Sequence, residues 1–141
     1  NRAAGELIAA LPDGVVHACT DVTGFGLMGH ASEMAAASGY SLDIVAASVP
    51  LLEGARELVS GNVPGGGRTN RQHFGARIAI DPSVDPGIAD LLFDPQTSGG
   101  LLVAIDPAAA DSALAALQAI GVPAVEIGDV HPDGGLLIRV R

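Results

Sequence analysis

The sequence predicts a single-domain α/β (α+β) fold, with a mixed β-sheet and helices packed against it. The chain has 141 residues, which is about the length of one domain. Its hydrophobic content of 48% is too high for a disordered segment. Short apolar runs typical of strands alternate with segments of helical periodicity. Two strand-like runs also follow one another at the C-terminus, which favours a mixed sheet.

In the first half of the chain, helices are predicted where apolar residues recur at helical spacing, and strands where short β-type runs follow turn residues. Gly39 is suited to end a helix and Pro50 to begin one. The predicted elements are helix Asn1–Leu11, strand Val15–Cys19, helix Leu27–Ser38, strand Leu42–Val45 and helix Leu51–Val59.

The second half begins with Gly61–Phe74, which is too glycine-rich and irregular for a regular element and is predicted to be a loop. Asp-Pro pairs at 85–86 and 106–107 each predict an N-cap followed by a helix. Leu101–Ile105 is nearly all apolar, so we expect a strand buried on both faces. The predicted elements are strand Ala76–Ile80, helix Gly87–Phe93, loop Asp94–Gly100, strand Leu101–Ile105, a helix from Pro107 to Gly121, and strands Ala124–Val130 and Leu136–Val140 around a His131–Gly134 turn.

Charge excludes several classes of function. Seven basic residues, all arginine, stand against sixteen acidic ones, for a net charge of −9. Such a chain repels a phosphate backbone, so we expect no nucleic-acid binding. The absence of lysine from this sequence excludes a Walker A loop and a Schiff-base lysine within it.

The single cysteine, Cys19, cannot form an internal disulfide or a four-cysteine zinc site, and it fits a reducing, cytoplasmic location. Its position in an apolar run suggests a small core residue. No apolar run approaches the roughly 20 residues of a spanning helix, so we expect no membrane association. The chain begins at Asn1 with no methionine, and we expect it to be the C-terminal part of a longer protein.

The most informative segment is Thr20–His30, between a predicted strand and helix. Gly24, Gly26 and Gly29 match the glycine pattern of a dinucleotide site. We reject that interpretation because Asp43, the candidate ribose ligand, falls inside a strand. Moreover, Asp21 would project from the turn where the pyrophosphate should lie, and two negative charges about 4 Å apart repel by about 1 kcal/mol even in water.

A divalent cation between Asp21 and a phosphate would reverse the sign of that interaction, because Mg²⁺ is commonly held by one or two carboxylates and by substrate phosphates. On this hypothesis the start of the helix offers backbone amides to an anion, and Asp21 is a metal ligand beside it. The alternative is that Asp21 and Thr23 only cap the helix, while the glycines allow close packing. The residues alone leave both possibilities open.

Two other segments could bind an anion. Asp94–Gly100 offers the side chains of Gln96, Thr97 and Ser98 beside two glycines, although a simple turn has the same composition. Pro64–Arg71, with His73 and Arg77, is the only basic concentration and is either an anion-contacting flap or a solvated loop. The remaining side chains indicate little: His30 and Glu33 suggest a solvated pair on a helix, and four scattered histidines do not support a zinc site.

Three motifs together resemble the C-terminal domain of selenophosphate synthetase (selenide, water dikinase). They are His17–His30, Val63–Gly66 followed by Asn70, and Asp94–Leu102 (DPQTSGGLL). The resemblance spans essentially the whole chain, in the family's order. The wider superfamily includes aminoimidazole ribonucleotide synthetase, thiamine-phosphate kinase and a hydrogenase-maturation protein, and the resemblance implies its C-terminal domain type, partly ferredoxin-like.

The resemblance implies an enzyme that makes selenophosphate, AMP and phosphate from ATP, selenide and water, with magnesium ions bridging the ATP phosphates to aspartates. Asp21 matches the one such aspartate in the C-terminal domain, and no catalytic residue is expected in this segment. The family's nucleophile, catalytic lysine and glycine loop belong to an N-terminal domain, and the intact enzyme is expected to be a homodimer. The cleft residues implied by motif are Thr20, Thr23, Gly24, Gly26, Gln96, Thr97 and Ser98.

Two alternatives remain at this point. The chain could come from another ATP-dependent superfamily member, similar to aminoimidazole ribonucleotide synthetase or thiamine-phosphate kinase. It could also be a non-catalytic binding module on a ferredoxin-like scaffold, in which Asp21 only caps a helix.

Overall fold

The computed structural model describes residues 1–132 and 134–141, and within them it contains helices and strands in alternation, as predicted. The helices are α1 Arg2–Ala9, α2 Gly26–Ser38, α3 Ala55–Leu58, α4 Gly65–Phe74, α5 Pro86–Leu91 and α6 Pro107–Ala119. The strands are β1 Val16–Asp21, β2 Tyr40–Ile44, β3 Ile78–Ile80, β4 Leu101–Ile105, β5 Gly128–Pro132 and β6 Ile138–Val140. None of the described helices is both long and apolar enough to cross a membrane.

The strands form two sheets, one of which is mixed as predicted. In the larger sheet the order is β3-β6-β2-β5, with β6 parallel to β2 and β3, and β5 antiparallel to β2. The two C-terminal strands therefore lie on opposite sides of β2 and do not pair with each other. The predicted turn His131–Gly134 differs from the structure at its start, because His131 and Pro132 belong to β5. Asp133 of this turn lies outside the described residues.

The smaller sheet pairs β1 with β4 in antiparallel register, with Asp21 opposite Leu101. Helices α1 and α6 cover one face of it, where Leu101 and Val103 pack around Ile8 and Leu117. Leu102 points to the other face and joins the main core. Both faces of β4 are thus covered, but each of its side chains is only half-buried, because a two-stranded sheet leaves open edges. The expectation of a fully buried strand was too strong.

The main core lies between α2 and the larger sheet. Met28, Ala31 and Ala35 from one face of α2 are almost fully buried, against Ile44 of β2 and Ile138 of β6. Small side chains on α2 let the helix lie close to the sheet. Gly39 ends α2 in the left-handed conformation, as predicted. Asp85 and Asp106 accept hydrogen bonds from backbone amides at the starts of α5 and α6, as the Asp-Pro pairs predicted.

Two predictions for the middle of the chain were wrong. The helix expected over Leu51–Val59 is only the single turn α3, because Gly54 adopts a positive φ of 79° and stops a helix from running through it. The loop expected over Gly61–Phe74 contains the ten-residue helix α4. Tertiary contacts stabilise α4 in spite of its three glycines: Gly67 and Asn70 are buried on the face toward α5 and the loop that follows it.

Candidate functional site

Asp21 lies at the C-terminal end of strand β1 in the smaller sheet. Along β1, His17, Cys19 and Asp21 are exposed, whereas Val16, Ala18 and Thr20 are half-buried. Asp21 is the last residue of the strand and pairs with Leu101, the first residue of β4. Its carboxylate is therefore held on regular backbone at the point where the chain turns toward α2.

The two segments singled out in the sequence lie side by side. Backbone hydrogen bonds join Val22 N to Gly100 O at 2.9 Å, Gly99 N to Val22 O at 2.9 Å, and Gln96 N to Thr23 O at 3.0 Å. A Cβ on Gly99 would lie 2.5 Å from Val22 O, so this approach requires glycine. The turn after β1 and the loop before β4 consequently form one continuous surface beside Asp21.

The candidate cleft residues differ in how exposed their side chains or backbone are at this surface. Asp21, Gly24, Thr97 and Ser98 are exposed, whereas Thr20, Thr23 and Gln96 are half-buried. The Gln96 side chain is turned toward Asp94, and its Nε2 donates to Asp94 Oδ2 at 2.8 Å. The Asp21 carboxylate and the hydroxyls of Thr97 and Ser98 are thus the exposed groups of this surface, and we call them its rim.

Gly26 is buried, and it serves close packing. A Cβ there would lie 2.8 Å from both Phe93 C and Asp94 O, and its φ is +69°. The start of α2 is accordingly pressed against the end of α5. Among its first amides, Gly26 N donates to Thr23 O and Met28 N to Leu92 O. These two amides are therefore not open to an external anion, contrary to the hypothesis that the start of the helix offers its amides to one.

The capping alternative for Asp21 is not what the structure contains. The N-cap of α2 is Phe25, and no side chain makes a capping hydrogen bond there. Thr23 is engaged elsewhere: its hydroxyl and His30 Nε2 share a hydrogen bond of 2.9 Å. Asp21 is consequently left at the surface without a capping function.

His30 is a site residue that the sequence interpretation missed. It was expected to form a solvated pair with Glu33, but only 12% of its side chain is exposed, and Nδ1 lies 3.6 Å from Glu33 Oε2. The Phe25 ring lies beside it, at a centroid distance of 5.4 Å. His30 therefore orients the Thr23 hydroxyl through their shared hydrogen bond. The spacing of seven residues across a turn into a helix gives no signal for this contact.

Cys19 was expected in the core, and this was wrong: odd-numbered residues of β1 face outward, and its thiol is exposed. It borders an open groove of about 300 Å³ between β1 and α2, together with Thr20 and His30. Partial burial, and secondarily the nearby Asp21 carboxylate, raise the pKa of the Cys19 thiol above its ordinary value.

Alkylation of Cys19 gives a first test of this electrostatic environment. A raised pKa leaves less reactive thiolate, so we expect iodoacetamide to modify Cys19 more slowly than an unstructured cysteine peptide at about pH 8. Since Asp21 contributes to the shift, Asp21→Asn should speed the reaction and move its pH midpoint downward. Mass spectrometry across about pH 7 to 10 measures both quantities. Identical profiles for Asp21→Asn and for an exposed control, Asp13→Asn, would contradict the assignment.

The segment Pro64–Arg71, for which an anion-contacting flap and a solvated loop were both considered, consists of the N-cap Pro64 and the first residues of helix α4. Arg71 pairs with the Asp90 carboxylate and lies over the Phe93 ring, with its guanidinium carbon 5.3 Å from the ring centroid. Arg68 donates to Val63 O within its own segment. The segment is therefore a packed helix, and the positive charge of Arg71 is already neutralised by a protein carboxylate.

Asp43, the candidate ribose ligand of the rejected dinucleotide site, lies inside β2 as the fourth of its five residues. Its carboxylate lies 3.5 Å from His131 Nε2 and 3.7 Å from Arg139 Nη1, on the outer face of the larger sheet. Across residues 1–132 and 134–141, no group of three or more His, Cys, Asp or Glu side chains could hold a metal ion. Asp21 can thus supply one ligand to a shared metal site, but the described residues do not form a complete one.

Comparisons with known proteins give the family of the chain. The family model for the C-terminal domain of AIR synthase related proteins matches residues 2–141. Curated relatives named selenide, water dikinase include those of Nitratidesulfovibrio vulgaris (44% identical, covering 100% of this chain and 40% of the relative), and Bordetella bronchiseptica (51% identical, covering 82% and 33%). The chain therefore spans well under half the length of these relatives.

Solved structures show the same fold at lower sequence identity. The crystal structure of E. coli HypE matches with a TM-score of 0.61 at 23% identity, covering 98% of this chain and 34% of that one. The hydrogenase maturation protein HypE in complex with ATP matches with a TM-score of 0.56 at 23% identity, covering 92% and 32%. The chain belongs to the AIR synthase related protein family, and it is the C-terminal domain of that family.

Proposed function

We propose that this chain is the C-terminal domain of a selenide, water dikinase, which converts ATP, selenide and water into selenophosphate, AMP and phosphate. The observation that carries the proposal is the single surface formed by residues 20–26 and 94–100, with an exposed carboxylate and exposed hydroxyls on its rim. Relatives that are 44% and 51% identical bear this name. They favour it over the other superfamily activities.

Asp21 fits the role of a magnesium ligand. Hard cations prefer carboxylate oxygens, and Mg²⁺ usually takes only one or two from the protein, along with waters and phosphates. An exposed aspartate that neither caps α2 nor belongs to a larger ligand cluster of the described residues has this chemistry. When bound, Mg²⁺ would offset the negative charge of the ATP phosphates in phosphoryl transfer.

The chain's other residues would position the phosphates. Thr97 and Ser98 present hydroxyl groups at the rim, and Gly24 exposes backbone beside them. Thr23 is held by His30, so its hydroxyl has a fixed orientation. Fixed donors near transferring phosphoryl groups stabilise charge without reorganising during the reaction.

The proposal includes a preceding N-terminal domain that supplies the nucleophile, the lysine and the remaining metal ligands. Asn1 Nδ2 donates to Gly99 O at 3.0 Å, so residue 1 lies beside the loop at 94–100. The chain alone is expected to be inactive, and the intact enzyme is proposed to be a cytoplasmic homodimer.

Phosphorus-31 NMR of the full-length protein tests this function. With ATP, Mg²⁺ and selenide, we expect a selenophosphate resonance that grows together with AMP and phosphate. The same sample without selenide is the control and should form no selenophosphate. ATP consumption without selenophosphate would contradict the proposal and favour another member of the superfamily.

A further inference from the structure

Asn70 of α4 lies outside both candidate segments, but its side chain joins them. Its Nδ2 donates to Gly24 O at 2.9 Å and to Phe93 O at 3.0 Å. Gly24 belongs to the turn after β1, and Phe93 immediately precedes the loop at 94–100. With 7% of its surface exposed, Asn70 is one of the few buried polar residues of the described chain.

This contact uses the full donor capacity of the amide. A side-chain NH₂ group has two hydrogens, and here the two acceptors are carbonyls from segments that are far apart in sequence. A buried carbonyl that loses its donor bears the cost of desolvation. Replacing the amide with an acceptor would place oxygen against oxygen at both contacts.

Small residues on one face of helix α4 place Asn70 in this position. Gly66 and Gly67 precede Asn70 by four and three residues, so all three lie on one face of the helix. A Cβ on Gly66 would lie 3.0 Å from Pro95 Cγ, and one on Gly67 would lie 3.7 Å from Phe93 O. Gly66 thus lets α4 lie close to Pro95, whereas a Cβ at Gly67 would make only an ordinary contact. The Asn70 amide spans from residue 93 to the β1–α2 turn.

We propose that Asn70 is a positioning residue that fixes the loop at 94–100 against the turn after β1. Its two hydrogen bonds supplement the three backbone hydrogen bonds that join residues 22–23 to residues 96–100. Together they set the separation between the Asp21 carboxylate and the exposed hydroxyls of Thr97 and Ser98. The consequence for turnover rests on the proposed function, whereas the structural bridge does not.

The test compares Asn70→Asp with Asn62→Asp in the full-length protein. Aspartate has the same shape but no side-chain donor when ionised. Asn62 is a matched control, because its Nδ2 also donates to two backbone carbonyls, those of Leu58 and Ser60, but both belong to its own exposed segment. Asn70→Ala removes the donor without adding charge, and it replaces Asn70→Asp if that variant does not fold.

Hydrogen exchange measured by mass spectrometry, without ligand, reports the bridge directly. In the Asn70 variants we expect exchange to rise at least about tenfold in segments 20–27 and 94–100, with other segments unchanged. The kcat for selenophosphate formation should fall about 100-fold, since a displacement of about 1 Å in a positioning element has an effect of this size. Asn62→Asp should match the wild type in both measurements.

Unchanged exchange in the two segments, or an equal rise throughout the chain, would overturn the positioning role. Raised local exchange with wild-type kcat would overturn its connection to turnover. If the wild-type protein forms no selenophosphate, the proposed function fails, while the exchange measurement still decides whether Asn70 joins the segments.

Discussion

Replacing Asp21 with asparagine in the full-length protein is expected to lower Mg²⁺-dependent turnover by at least about 100-fold, since the loss of groups that merely support metal ligands already costs about 10- to 100-fold. The folded structure should remain intact. Asp21 is exposed and makes no capping hydrogen bond to α2, and surface substitutions of this kind change the free energy of unfolding by about 0.5 kcal/mol or less.

Steady-state kinetics at varied Mg²⁺ concentration, together with circular dichroism, measure both parts of this prediction. Asp13→Asn is the control, because Asp13 is also exposed but lies in the turn before β1. It removes the same charge from the chain without touching the candidate cleft. Turnover near the wild-type value in Asp21→Asn would refute the ligand role and leave the family assignment without a mechanism for this residue.

Replacing Gly26 with alanine is expected to lower the free energy of unfolding of the chain by about 3 kcal/mol. A left-handed conformation costs a residue with a Cβ about 1–2 kcal/mol, and overpacking adds about 1–3 kcal/mol. Both apply because φ is +69° and the new Cβ would lie 2.8 Å from backbone atoms of Phe93 and Asp94. Relief of the clash would push the loop at 94–100 away from the β1–α2 turn.

Urea unfolding of the variant and the wild type measures this difference. Gly24→Ala is the matched control two residues away, since a Cβ at Gly24 would meet no heavy atom of the described residues within 4 Å. Its stability should stay within about 0.5 kcal/mol of the wild type. Equal stabilities of the two variants would show that Gly26 is not the point at which the two segments are pressed together.

The sequence predicts the β/α alternation of the fold and the elements with strong local signals. The Asp-Pro starts of α5 and α6 and the Gly39 stop of α2 depend on neighbouring residues, and all three are confirmed. Strand partners depend on distant residues, and no local pattern indicates that β5 and β6 take opposite sides of β2.

Helix α4 shows how tertiary contacts override local preference. Three consecutive glycines disfavour a helix by about 1 kcal/mol each relative to alanine, so a loop is the reasonable expectation from sequence. The contacts that stabilise α4 include those of Asn70, which reaches Gly24 and Phe93 across 46 and 23 residues of chain. Such contacts cannot be inferred before the fold is known.

The sequence predicted which segments form the candidate site, but it did not predict the side-chain contacts within the site. The composition of Thr20–Gly26 and Gln96–Gly100 indicated polar, glycine-containing turns at strand ends, and the structure joins them by backbone hydrogen bonds. The pairing of Thr23 with His30 and the bridge from Asn70 were missed. Both depend on side-chain directions after the turn, which spacing alone does not determine.

A crystal structure of the full-length protein with Mg²⁺ and a non-hydrolysable ATP analogue tests the central claim most directly. The account predicts an Asp21 carboxylate oxygen about 2.0–2.1 Å from a magnesium ion that also contacts the triphosphate. A structure in which every bound cation is ligated by other residues, with the Asp21 side chain turned toward solvent, would contradict it.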